Sequence, residues 1–125
     1  MDIPGTGTFR KEERLCGKVT VAALVAEGRW GGTRHITYCW TEGKGEVSRI
    51  LVSVPKKYFK RAVRRNLLKR RMRESYRLQK HLLAGVTADI MLVYNSGEPC
   101  EFVTIREEVA DILSAVSMKI SSSRA

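Results

Sequence analysis

The chain has 125 residues, 43% of them hydrophobic, and 23 Lys or Arg against 13 Asp or Glu give it a net charge of +10. That length supports one domain, residues 1–125, with its own core, and leaves no room for a second. The longest apolar runs, "ILVSV" and "IMLVY", fall far short of the roughly 20 residues a membrane-spanning helix needs, and nothing near Met1 has the pattern of a signal peptide.

In chain order, "MDIPGTGTFRKEER" carries Pro4 and two glycines with almost no apolar periodicity, and reads as an extended arm whose residues 1–8 are flexible. "KVTVAALVAEG" follows as a short helix with Val21, Leu24 and Val25 on one face, and Gly28 is placed to end it in the left-handed conformation. "RWGGTR" reads as a loop. "HITYCW" then switches to period two, sending Ile36, Tyr38 and Trp40 to one face of a strand. "EGKGE" turns the chain into a second strand, "VSRILVSV", giving a hairpin over residues 35–54.

The segment after it, "KKYFKRAVRRNLLKRRMRESYRLQKH", is too long to be anything ordered except a helix. "ADIMLVY" has the continuous apolar character of a strand covered on both faces, and "NSGEPCEF" turns the chain again. Thr104 and Glu107 have the spacing of a capping box, so a last helix is expected from about Ile105 to Met118, with residues 119–125 as a frayed end. Helix, strands, long helix, strand, helix is the order of an α+β fold. It predicts a two-layer α/β sandwich on a mixed sheet, with a parallel strand pair bridged by the long helix.

The charge is concentrated. Residues 56–81 hold twelve Lys or Arg against Glu74 alone, whereas the rest of the chain sets eleven bases against twelve acids and is close to neutral. One element therefore gathers like-sign repulsion that a polyanion relieves. Wound at 100° per residue, Asn66, Lys69, Arg70, Arg73, Arg77 and Lys80 fall within one arc, and Leu68, Met72, Tyr76, Gln79 and Leu83 within its neighbour, with Ser75 at the edge. Leu67 and Leu78 point away from the apolar arc, and Arg64 and Arg71 widen the positive surface. A merely solvated helix interleaves both signs in pairs three or four residues apart, and a membrane-surface helix needs a spare apolar face. Nucleic acid fits the pattern better than either. Arg forks that chelate phosphate and stack on bases suit RNA.

No catalytic or metal constellation is visible. His35 and His81 are isolated and read as surface or loop histidines. Cys16, Cys39 and Cys100 are odd in number and singly placed, which suggests neither a disulfide framework nor a thiolate metal site and points to a reducing cytoplasm. "GTG" and "GKG" lack the strand and helix context of a phosphate loop.

Over residues 53–77 the sequence resembles the protein component of bacterial ribonuclease P. Ser53-Val54, Lys56-Lys57, Ala62-Val63, Arg65-Asn66, Lys69-Arg70, Arg73-Glu74 and Tyr76-Arg77 stand in register with that family's motif, and weaker likeness extends over residues 8–117. Leu67 replaces the motif's second Arg, with Arg64 and Arg71 close by. Val21 and Val25 stand where relatives often carry phenylalanines. The resemblance implies a left-handed βαβ crossover, against the right-handed norm. It also implies that a large RNA using magnesium ions is the catalyst, with no dedicated metal site on the protein, and that cleavage removes the 5′ leader of precursor tRNA. The partners implied are ribonuclease P RNA and precursor tRNA, without membrane or obligate protein partner. Arg65, Asn66, Lys69, Arg70, Arg73 and Arg77 would then face the RNA subunit, supported by Lys56, Lys57, Lys60 and Arg64. Tyr38 and Trp40, with Val21 opposite, would form the leader-binding cleft. A stand-alone or ribosome-associated RNA-binding protein is the alternative. A helix-turn-helix DNA reader would need a short helix just before the basic one.

Overall fold

Helix α1 (Lys18–Glu27) leads into β1 (Arg29–Gly32), which turns back as β2 (Ile36–Glu42). Then come β3 (Arg49–Ser53), the long helix α2 (Ala62–Gln79) with a 3-10 turn at Lys80–Leu83, β4 (Ala88–Tyr94) and α3 (Phe102–Arg124). These belong to a computed structural model that describes residues 18–43, 47–83 and 85–124. The expected flexible arm at residues 1–8 and the last three residues of "EGKGE", 44–46, lie outside the described residues.

The four strands form one mixed sheet in the order β1-β2-β4-β3. β1 and β4 flank β2 antiparallel, and β3 runs parallel to β4 with α2 as the crossover between them. The α+β sandwich and its parallel pair are as the sequence predicts. Two strand assignments are corrected. β2 and β3 are not a hairpin, because β4 lies between them; it is apolar on both faces, and a central position lets it bury both. The hairpin is β1 with β2, closed where the Thr33 N–H donates to the Ile36 carbonyl at 2.8 Å. The expected loop "RWGG" is therefore a strand. Its glycines hid it: a Cβ on Gly31 would lie 2.5 Å from the Tyr38 ring, so this strand forms by omitting the side chains that signal a strand.

Side chains alternate across the sheet and divide the core in two. Ile36, Tyr38, Trp40, Ile50, Val52, Ile90, Leu92 and Tyr94 face α2 and α3, meeting Leu68, Met72 and Tyr76 from one and Ile105, Val109, Ile112, Leu113 and Val116 from the other. Cys39 and Met91 point the opposite way and pack under Leu24 of α1, with Val21, Leu51 and Val93 half-buried around them. Val25, expected beside Val21 and Leu24, is exposed. Gly28 ends α1, but not by a left-handed turn: Gly85 is the glycine with positive φ among the described residues. The need at Gly28 is for close approach, since a Cβ there would meet the Leu24 carbonyl at 2.4 Å and Cys39 Sγ at 2.5 Å.

α3 starts at Phe102, so Thr104 and Glu107 lie inside the helix and form no capping box at its start. It also runs to Arg124 rather than stopping near Met118. Ile120 explains the extension: it is 2% exposed in the main core, and burying such a side chain is worth about 1.5–3 kcal/mol, enough to hold another turn in place.

Candidate nucleic-acid interface

Helix α2 buries Leu68, Met72, Ser75, Tyr76 and Gln79, the arc expected to face the sheet, and so turns the neighbouring basic arc outward. Two side-chain bonds fix its rotation. Gln79 Nε2 donates to the Arg106 carbonyl of α3 at 2.9 Å, and Arg71 donates to the Cys100 carbonyl at 2.6 Å. Asn66, Lys69, Arg70, Arg73, Glu74 and Arg77 then line one open groove of about 380 Å³. Arg77 grips both carboxylate oxygens of Glu74, with Nε 3.1 Å and 3.2 Å from them. That hydrogen bond holds the Glu74 carboxyl below the usual range, the Arg77 charge helping, so the groove's single acid stays ionised.

The flanking cations divide by role. Lys56, Lys57, Lys60, Arg64 and Arg70 are exposed, and the Lys57 ammonium lies 4.9 Å over the Tyr58 ring. Phe59 is buried against Tyr94, with ring centroids 5.9 Å apart, and Tyr58 donates to Asn95 at 2.8 Å, so the segment carrying these lysines is pinned at both aromatics. Arg65 instead donates to the Phe59 and Lys60 carbonyls at 2.8 Å and 2.7 Å. It braces the approach to α2, where Arg61 offers no side-chain cap. Of the two arginines flanking Leu67, Arg71 is engaged with Cys100 and Arg64 is exposed.

The expected leader cleft is not assembled as one surface. Tyr38 is 6% and Trp40 4% exposed, both in the core beneath α2 and α3, whereas Val21 lies across the sheet on the α1 side. Strand alternation is the reason: Cys39, between the two aromatics, is the residue that faces α1. On that α1 side Thr37, Leu51, Ser53 and Val93 remain half-buried beside Val21, and Trp30 of β1, in register with Cys39, is exposed.

His35 is the residue that sequence reasoning misplaced. It is buried, and its backbone N–H and ring Nδ1 meet the two carboxylate oxygens of Glu108 at 2.8 Å and 2.6 Å, while Thr33 donates its hydroxyl to the same group. Burial pushes the Glu108 carboxyl up, but the bonds from Thr33 and His35 outweigh it and hold it below the usual range. The two residues stand 73 positions apart, and no local pattern in the sequence joins them.

A basic helix laid across a four-stranded α+β sheet, its cations aligned in a groove and its apolar arc spent on the core, defines a nucleic-acid-binding protein of the RNA-binding class. A protein-family model for ribonuclease P matches residues 9–117. The ribonuclease P protein component of Porphyromonas gingivalis is 34% identical over 98% of this chain and 96% of its own length. The ribonuclease P protein of Thermotoga maritima superposes with a TM-score of 0.72 at 26% identity, over 82% of this chain and 96% of that one. The Staphylococcus aureus ribonuclease P protein, at 21% identity and TM-score 0.73, shares the fold. The chain belongs to the ribonuclease P protein component family.

Proposed function

We propose that this chain is the protein subunit of the ribonuclease P ribonucleoprotein, gripping the catalytic RNA through α2 and holding the 5′ leader of precursor tRNA against the α1 side of its sheet. The carrying observation is the groove of Asn66, Lys69, Arg70, Arg73 and Arg77, held outward by a buried apolar arc. Lys56, Lys57, Lys60 and Arg64 extend that surface from the end of β3, and Arg65 shapes it. In this reading the RNA subunit would supply the hydrolytic chemistry with its magnesium ions, and the protein's residues bind and orient.

The leader belongs on the α1 side because the other face of the sheet is filled by helices. Val21, Thr37, Leu51, Ser53 and Val93 form a shallow, half-apolar floor suited to unpaired nucleotides, and Ser53 ends the strand that leads to the basic segment. Filter binding with ribonuclease P RNA tests the first assignment. Lys69→Glu combined with Arg70→Glu removes two charge-assisted contacts and should weaken binding by about a hundredfold or more; unchanged affinity removes α2 from the interface. Ser53→Glu should weaken holoenzyme binding of precursor tRNA while sparing mature tRNA. Equal loss for both would point to a stand-alone RNA binder without leader recognition.

A further inference from the structure

His35, Cys100 and Glu108 are far apart in sequence, yet their ligand atoms lie within 4.8 Å of one another, all three residues being buried. Each comes from a different part of the fold: His35 from the β1–β2 connection, Cys100 from the β4–α3 connection, and Glu108 from α3. An ion there would tie three segments into one corner. We propose that this cluster is a zinc site, with His35 Nδ1, the Cys100 thiolate and a Glu108 carboxylate oxygen as protein ligands and water as the fourth.

The surroundings of the three ligands carry the assignment. A metal-bound histidine characteristically donates its other ring nitrogen to a carboxylate, and a ligating carboxylate is itself held by donors. Both features are present. Glu98 Oε2 lies 3.3 Å from His35 Nε2, and the second oxygen of Glu108 accepts from the Thr33 hydroxyl and the His35 backbone N–H. The Cys100 backbone is fixed as well, its N–H donating to the Tyr94 hydroxyl at 3.0 Å while Tyr94 donates to the Glu98 carbonyl.

Ligand type selects the ion. Thiolate, imidazole and carboxylate together suit zinc and exclude magnesium or calcium, which take all-oxygen sets. Tetrahedral zinc bonds of about 2.0–2.3 Å put ligand atoms roughly 3.3–3.6 Å apart. The 2.6 Å contact between His35 and Glu108 therefore opens by under about 1 Å as the ion takes the place of the hydrogen between them. Binding leaves His35 as the neutral tautomer with its one proton on Nε2, facing Glu98, and releases the Cys100 thiol proton to solvent, with no change of oxidation state. The exposed Glu98 carboxylate marks the way in.

Cobalt(II) and zinc titrated separately into the metal-free full chain test this. The wild type should take up one equivalent of cobalt with a sulfur-to-cobalt charge-transfer band in the near ultraviolet, and one equivalent of zinc with a rise in Tm. Cys100→Ser should lose the band and bind zinc at least about tenfold more weakly, and Glu98→Gln should keep the band while weakening zinc by about 10- to 100-fold. Absence of the band and of the Tm rise in a folded wild type, or an unchanged band in Cys100→Ser, would overturn the assignment.

Discussion

Trp40 shows how a residue that looks like a binding platform becomes a core residue. Its indole is buried, the Arg29 guanidinium lies 5.6 Å over the ring, and its Nε1 has no hydrogen-bond partner among the described residues. Trp40→Ala is expected to cost about 3–5 kcal/mol in urea unfolding. Trp40→Phe should cost far less, within about 1 kcal/mol, because the donor left without a partner, itself worth about 1–3 kcal/mol, leaves with the indole. Glu108 gives a pH-dependent counterpart. Its carboxyl is lowered on folding, so its stabilisation is fully present above the ordinary glutamate value of about 4.3 and is lost as pH falls through the lower folded value. In the metal-free chain, Glu108→Gln should therefore flatten the acid side of the curve of Tm against pH. A parallel acid limb in the variant would mean that another group controls it.

Among the elements, α2 was the most legible. Its apolar and basic arcs, read from 3.6-residue periodicity, coincide with the buried set Leu68, Met72, Ser75, Tyr76 and Gln79 and with the groove beside it. The part not legible was the use of individual arginines. Arg65 and Arg71 look like Arg70 in the sequence, but donate to backbone carbonyls that only the folded chain brings near. Strand pairing was harder still. Period two identifies a strand and its faces without naming its neighbour, so β4 between β2 and β3 was invisible, and the glycines of β1 carry no period at all. Since α2 presents a compact stripe, its contribution to RNA affinity should follow counterion release. With about five phosphates neutralised, log K against log salt should have a slope near −4, and Arg70→Glu should make it shallower by about 1. An unchanged slope in that variant would place Arg70 outside the contact.

At the scale of the molecule, the charge imbalance and the layered core are one design. The sheet spends one face on α2 and α3 and part of the other on α1, which leaves a rigid backing for a cationic helix and a partly open floor across the sheet. Composition made the anionic partner legible and periodicity the α+β architecture. The position of the floor was not legible, because it depends on which sheet face each helix covers, a choice made by long-range pairing and not by any local pattern. The corner of His35, Cys100 and Glu108 was hidden for the same reason. The most direct measurement is cleavage of precursor tRNA by a bacterial ribonuclease P RNA at low magnesium, with and without the purified chain. The wild type should restore cleavage at the mature 5′ end, and the chain carrying Lys69→Glu and Arg70→Glu, folded by circular dichroism, should not. No stimulation by a wild-type chain that binds the RNA, or equal stimulation by both chains, would contradict the account.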